Sequence, residues 1–214
     1  MEWWRYFSKQ PPNPVVFTVV AVLFIGFAAW RVWRTRPRLR ALKQGIEGEK
    51  AVGQFLERLR QAGYQVFHDL IGVGFNVDHV LIGPAGVFTI ETKTWSKPAR
   101  GEARIRFDGE KISAAGREPE RDAAVQARAQ AGWLRGLLVE STGRNFEVFP
   151  VVVFAGWFIE QAEGSLRNMW VLEPKALPKF LAAAPQRLAP EEVNLASFHL
   201  ARFIRANERD RAKP

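Results

Sequence analysis

Three charged residues interrupt an otherwise apolar stretch, "VDHVLIGPAGVFTIETK" (Val77 to Lys93): Asp78 in its first half, Glu91 and Lys93 in its second. The Gly83-Pro84-Ala85-Gly86 turn predicts a hairpin in which Ile82 faces Val87, and Asp78 then falls directly opposite Glu91. Opposed side chains in an antiparallel pair have Cβ atoms roughly 4.5–5.5 Å apart, and like charges so placed repel. Alternation puts Lys93 on the face of Glu91 and leaves Leu81, Phe88 and Ile90 for the other, apolar face. Two carboxylates on one face are hard oxygen ligands for a divalent ion such as Mg²⁺, which binds through one or two carboxylates and keeps waters. Such an ion polarises a phosphoryl oxygen, and a neighbouring ammonium such as Lys93 offsets charge that develops on a phosphate. The same triplet also suits a cross-strand salt bridge on an exposed strand face. The residues alone leave both readings open.

The elements needed to position that hairpin are legible around it. "IEGEKAVGQFLERLRQAG" predicts a helix, with Val52, Phe55, Leu56 and Leu59 at helical spacing and Gly63 as its stop. "YQVFHDL" predicts a first strand, and "ARIRFDGEKIS" a second hairpin around Asp108-Gly109. A long helix is predicted from about Arg121 to Glu140, with Ala124, Ala127, Ala131, Leu134 and Leu138 on one side. "FEVFPVVVFAG" reads as a buried strand, followed by a short strand at Met169 to Leu172 and helices starting near Pro174 and Pro190. Strands flanked by helices predict an α/β fold with a mixed sheet covered on both faces. His79 points away from Asp78 and reads as structural, His68 and His199 have no ligand spacing, and Trp133 reads as core.

Absence of cysteine excludes disulfides and thiolate metal sites. Residues 15–30 carry no charge, and Val32 and Trp33 extend the run past Arg31. The resulting span, 15–33, has the roughly 17–25 residues that cross a bilayer. Trp3 and Trp4 before it and Trp30 and Trp33 after it match aromatic belts at two interfaces, and the basic sequence downstream is a poor cleavage region. Arg31, Arg34, Arg36, Arg38, Arg40 and Lys43 follow the span, which predicts an outside N-terminus and a cytoplasmic domain anchored in the inner membrane. Residues 1–44 hold eight basic residues and one acid, so +7 of the net +9 belongs to this end and residues 45–214 carry only +2. The basic arm, 34–44, suits anionic lipid better than it signals a nucleic-acid-binding surface.

"GIEGEKAV" (Gly45 to Val52), the hairpin stretch and "RDAAVQARAQAGWLRGLL" (Arg121 to Leu138) together resemble the nuclease-related domain (NERD) family of the PD-(D/E)xK restriction-endonuclease-like superfamily. The resemblance implies a restriction-endonuclease-like mixed sheet and metal-dependent cleavage of nucleic acid, DNA before RNA, with Mg²⁺ or Mn²⁺. By position it makes Asp78 and Glu91 the metal-binding acids, Lys93 the catalytic lysine, Glu49 the first-helix acid near the metal, and Gln126 the glutamine presented by the later helix. The family often has Asn-Pro or Asp-Pro ahead of that glutamine; this chain has "EPERDAAVQ", with Pro119 displaced. Arg100, Arg104 and Arg106 offer a local patch for the polyanion.

The expected organisation is a tail (1–14), a transmembrane helix (15–33), a basic arm (34–44), a nuclease-like domain (45–159) and a mostly helical extension (160–214). Against a membrane-anchored nuclease stands a tethered binding or scaffolding module that keeps the fold without turnover, which the near-neutral domain favours. A lipid-responsive regulator acting through the basic arm is a third possibility.

Overall fold

A Pro84-Ala85 turn closes β2 (Asn76–Gly83) and β3 (Gly86–Lys93) into an antiparallel hairpin in the expected register, with Ile82 opposite Val87 and the ladder running to His79 opposite Ile90. Gly86 has a φ of 133°, a conformation that a Cβ disfavours, so glycine is required to close this turn. The structure is a computed structural model describing residues 6–8, 14–72, 74–95, 97, 102–114 and 122–211. Arg100, Trp3 and Trp4 lie outside the described residues, as do the side chains of Arg38 and Arg40.

The hairpin is the middle of a five-stranded mixed sheet. β1 (Gln65–Ile71) pairs antiparallel with β2, β6 (Val148–Phe154) pairs parallel with β3, and β8 (Trp170–Leu172) pairs parallel with β6. One face buries Leu81, Phe88, Ile90, Val151 and Val153 against Val52 and Leu56 of helix α1 (Pro14–Leu56) and Leu177 and Leu181 of α3 (Leu177–Ala183). The opposite face buries Val80, Ile82 and Val87 against Leu134 and Leu138 of α2 (Ala123–Thr142) and Val193, Ala196 and Leu200 of α4 (Pro190–Arg211). The fold is therefore mixed α/β with helices on both sheet faces, because alternate residues of a central strand are both apolar and must both be covered.

A second, three-stranded sheet was only partly legible. β4 (Arg104–Phe107) and β5 (Ile112–Ala114) form the expected hairpin, but β4 also pairs parallel with β7 (Phe158–Gln161), a four-residue strand with no apolar alternation to announce it. Ile105, Phe107 and Ile112 pack with Ala123, Ala124 and Ala127 of α2 and with Val152 and Phe154.

Backbone contacts divide the chain into two compact units, Met1–Lys43 and Gln44–Pro214. Residues 160–214, read from sequence as an extension, supply α3 and α4 to both cores of the second unit. In the first unit the backbone is helical from Pro14 on, through the basic stretch. Its window Phe17–Arg36 has a mean hydropathy of 1.5 and is not buried; by length and composition it can cross a membrane or serve as an N-terminal signal sequence.

Candidate active site

Alternation along β3 aims Glu91 and Lys93 at the face covered by α2, and Glu91 is only 3% exposed. A buried carboxylate must find donors, and this one has three. Its Oε1 accepts from Lys93 Nζ at 2.5 Å and from Gln126 Nε2 at 2.8 Å; its Oε2 accepts from Gln130 Nε2 at 2.6 Å. Gln126 Oε1 in turn accepts from Lys93 Nζ at 2.9 Å, closing a ring of three side chains. α2 comes close enough for this because the residues around its glutamines on the buried side are Ala123, Ala124, Ala127 and Ala131. Its N-terminus is capped by Asp122 Oδ1, which accepts from the Ala124 and Val125 N–H groups.

Asp78 is less well supplied. The β2–β3 ladder stops at His79, and in place of a further strand pair Asp78 Oδ2 accepts the Thr92 N–H at 2.7 Å. Burial, and next the Glu91 charge, push the Asp78 carboxyl up to about 7; the Thr92 hydrogen bond opposes this, Glu49 adds to it, and Lys93 opposes it weakly. The repulsion expected of the opposed acids is thus present at Asp78, but as a smaller contribution than burial.

Glu49 approaches from α1. A Cβ on Gly48 would stand 2.4 Å from Thr94 Cγ2, so glycine lets this helix turn lie against the end of β3 beside Lys93. Burial raises the Glu49 carboxyl, followed by a hydrogen bond with Asp69 and by the charges of Asp69 and Glu91. Asp69 escaped the sequence reading. It interrupts the β1–β2 ladder with a φ of 53°, the one non-glycine residue with positive φ among those described, and nothing in "FHDL" signals that conformation.

Beside Glu49 and Asp69 opens a cleft of about 590 Å³, also lined by Lys50, Gln54, Glu57 and His68. Here the two histidines make contacts that spacing did not reveal: His68 Nδ1 is 2.8 Å from His79 Nδ1, and His68 Nε2 is 2.8 Å from Glu57 Oε1. Burial lowers His79 to about 4, so it is neutral, as its structural reading requires. Arg104 lies on the three-stranded sheet and is engaged by Glu102, by Glu160 at 3.5 Å and by the Phe158 ring at 5.1 Å. Arg106 is exposed on the same strand.

A family model described as the nuclease-related domain matches residues 44–155. The chain belongs to the NERD family. No curated protein and no solved structure matches it. The match lies within the second unit and contains Glu49, Asp69, Asp78, Glu91, Lys93, Gln126 and Gln130.

Among the described residues of this NERD domain, no group of three or more histidines and carboxylates has the geometry of a metal cage. The donor set nevertheless fits an Mg²⁺-like ion, which needs only one or two carboxylates. A carboxylate offers about four lone-pair directions, and the three donors on Glu91 leave one, on Oε2, beside an Asp78 that no cation compensates fully.

Proposed function

We propose that this NERD domain hydrolyses phosphodiester bonds of nucleic acid, DNA before RNA, with Mg²⁺ or Mn²⁺ held by Asp78 and Glu91 and approached through water by Glu49. The observation that supports this most is the Glu91–Lys93–Gln126 ring next to Asp78. An ammonium has three donors; two point at Glu91 and Gln126, and the third is left for a phosphate oxygen. Bound there, the ion supplies Lewis-acid polarisation of a phosphoryl oxygen. Lys93 donates to a non-bridging oxygen as negative charge grows on it, Gln126 keeps the ammonium from rotating away, and Glu91 holds the ammonium at the site. Arg106, with Arg100 and Arg104, is assigned to the polyanion's backbone.

In this reading residues 15–33 form a single-pass anchor in the inner membrane, N-terminus outside. The basic stretch 34–43 lies against anionic lipid, with the domain in the cytoplasm. An alkaline phosphatase fusion after Pro214 is expected to be inactive; an active one overturns the topology.

A second reading, a tethered module without turnover, is favoured by the +2 charge of residues 45–214 and by the engagement of Arg104 with two acids. Detergent-solubilised full-length protein, given end-labelled DNA or RNA with Mg²⁺ or with EDTA, separates the two. Metal-dependent cleavage is expected. Binding of DNA without cleavage supports the tethered module.

A further inference from the structure

Gln130, one helical turn beyond Gln126, lies within the stretch "RDAAVQARAQAGWLRGLL", where the family resemblance gives a role to Gln126 alone. It is the one polar side chain in the buried stripe of α2, at 1% exposure. Its Nε2 donates to Glu91 Oε2 at 2.6 Å and to the Asn76 backbone carbonyl at 2.8 Å. Both partners are acceptors, so the amide has a single workable orientation, and that orientation leaves Oε1 buried without a donor. A residue selected for packing alone would not carry that orphan.

The place of these two bonds is informative. Asn76 starts β2 and Glu91 lies on β3, both beyond the last ladder pair, His79 opposite Ile90. Gln130 thus bridges the two strands where backbone pairing has stopped, and does so through the oxygen of Glu91 that has a lone pair to spare. We propose that Gln130 is a positioning residue: it clasps β2 to β3 at the open end of the hairpin and fixes the Glu91 carboxylate for divalent-ion binding. This rests on the nuclease reading only in taking Glu91 as an ion ligand.

The test uses full-length protein in detergent and two variants. Gln130→Met keeps the length and removes the amide; Leu134→Ala places a packing defect one turn further along the same helix, away from Glu91. Loss of a partner that orients a metal ligand typically weakens metal affinity roughly 10–100-fold. Mn²⁺ binding, followed by the electron paramagnetic resonance of the free ion, is expected to weaken by that factor in Gln130→Met and to stay at the wild-type value in Leu134→Ala. Cleavage by Gln130→Met should need correspondingly more Mn²⁺ and approach the wild-type rate at saturation. Equal Mn²⁺ affinity in Gln130→Met and wild type overturns the proposal and leaves the nuclease reading standing; so does equal weakening in both variants, which would mean that only packing matters. Wild-type protein that binds no Mn²⁺ overturns both.

Discussion

The two ends of the β2–β3 hairpin obey the same alternation and are put to different uses. At the tip, from Gly83 and Gly86 inward, the ladder is complete, Ile82 and Val87 are buried in the core, and the nearby pocket of about 160 Å³ is lined by the rings of Phe88, Phe149 and Trp170 together with Glu147, Arg167 and Arg187. At the base the ladder ends, and the open cleft nearby is about 590 Å³ and lined by ionisable groups. There the Thr92 N–H is taken by Asp78 and the Asn76 carbonyl by Gln130. Where backbone satisfies backbone, side chains are free to pack. Where it does not, polar side chains become obligatory, and those are the groups available for chemistry.

The sharpest way to break this contrast is Lys93→Ala. Losing an electrostatic contact made to the transition state costs on the order of 10²–10³ in rate, so cleavage should fall by that factor while calorimetry still detects Mn²⁺ binding. Unchanged turnover would reduce Lys93 to an ion-pair partner of Glu91. At the tip the opposite lesion is expected from Ile82→Ala, a fully buried residue: a loss of about 2–5 kcal/mol in denaturant unfolding, with cleavage per folded molecule unchanged.

A smaller effect separates the two acids at the base. Asp78 has an ordinary value of 3.8 and is held at about 7 in the fold. Its folded form binds the proton more tightly than the unfolded chain, so its contribution to stability is full below about 3.8 and is lost as pH rises through about 7. In EDTA near pH 8, Asp78→Asn should therefore melt higher than wild type, by a fraction of a kcal/mol to about 1 kcal/mol, and lose the stabilisation that Mn²⁺ gives. Glu91→Gln should melt lower, because it removes the negative charge facing Lys93 and turns one accepting oxygen into an NH2 that meets another donor. Melts from pH 4 to 8 check both; equal pH slopes in Asp78→Asn and wild type would contradict the assignment. The opposed register by itself makes no distinction between the two acids; the donors around Glu91 do.

The smallest stability change is expected at Gly48. Alanine there gains roughly 1 kcal/mol of helix propensity but meets Thr94 Cγ2 at 2.4 Å. Gly48→Ala should leave the melting temperature nearly unchanged while lifting Glu49 away and slowing cleavage. Adding Thr94→Ser, which lacks that methyl group, should restore the rate. A double variant as slow as the single one would mean that the helix does not rest on Thr94 as described.

What the sequence determined by itself was local. The turn Gly83 to Gly86 set the hairpin register, alternation put Glu91 and Lys93 together on the face opposite Phe88 and Ile90, and alanines and leucines at helical spacing marked the buried side of α2. Each follows from the short periods of backbone geometry, which a single chain displays. Charge counting likewise separated the basic N-terminal end from the near-neutral remainder. Tertiary structure decided which face of the hairpin α2 covers, and with it that Glu91 is buried among three donors while Asp78 is left at about 7. It also brought Gln130 to Glu91 from 39 residues away, His68 to His79, Asp69 to Glu49, and β7 to β4. None of these leaves a mark in sequence, because a hydrogen bond between distant segments requires only a donor, an acceptor and a helix or strand packed close enough, and the last condition belongs to the assembled core.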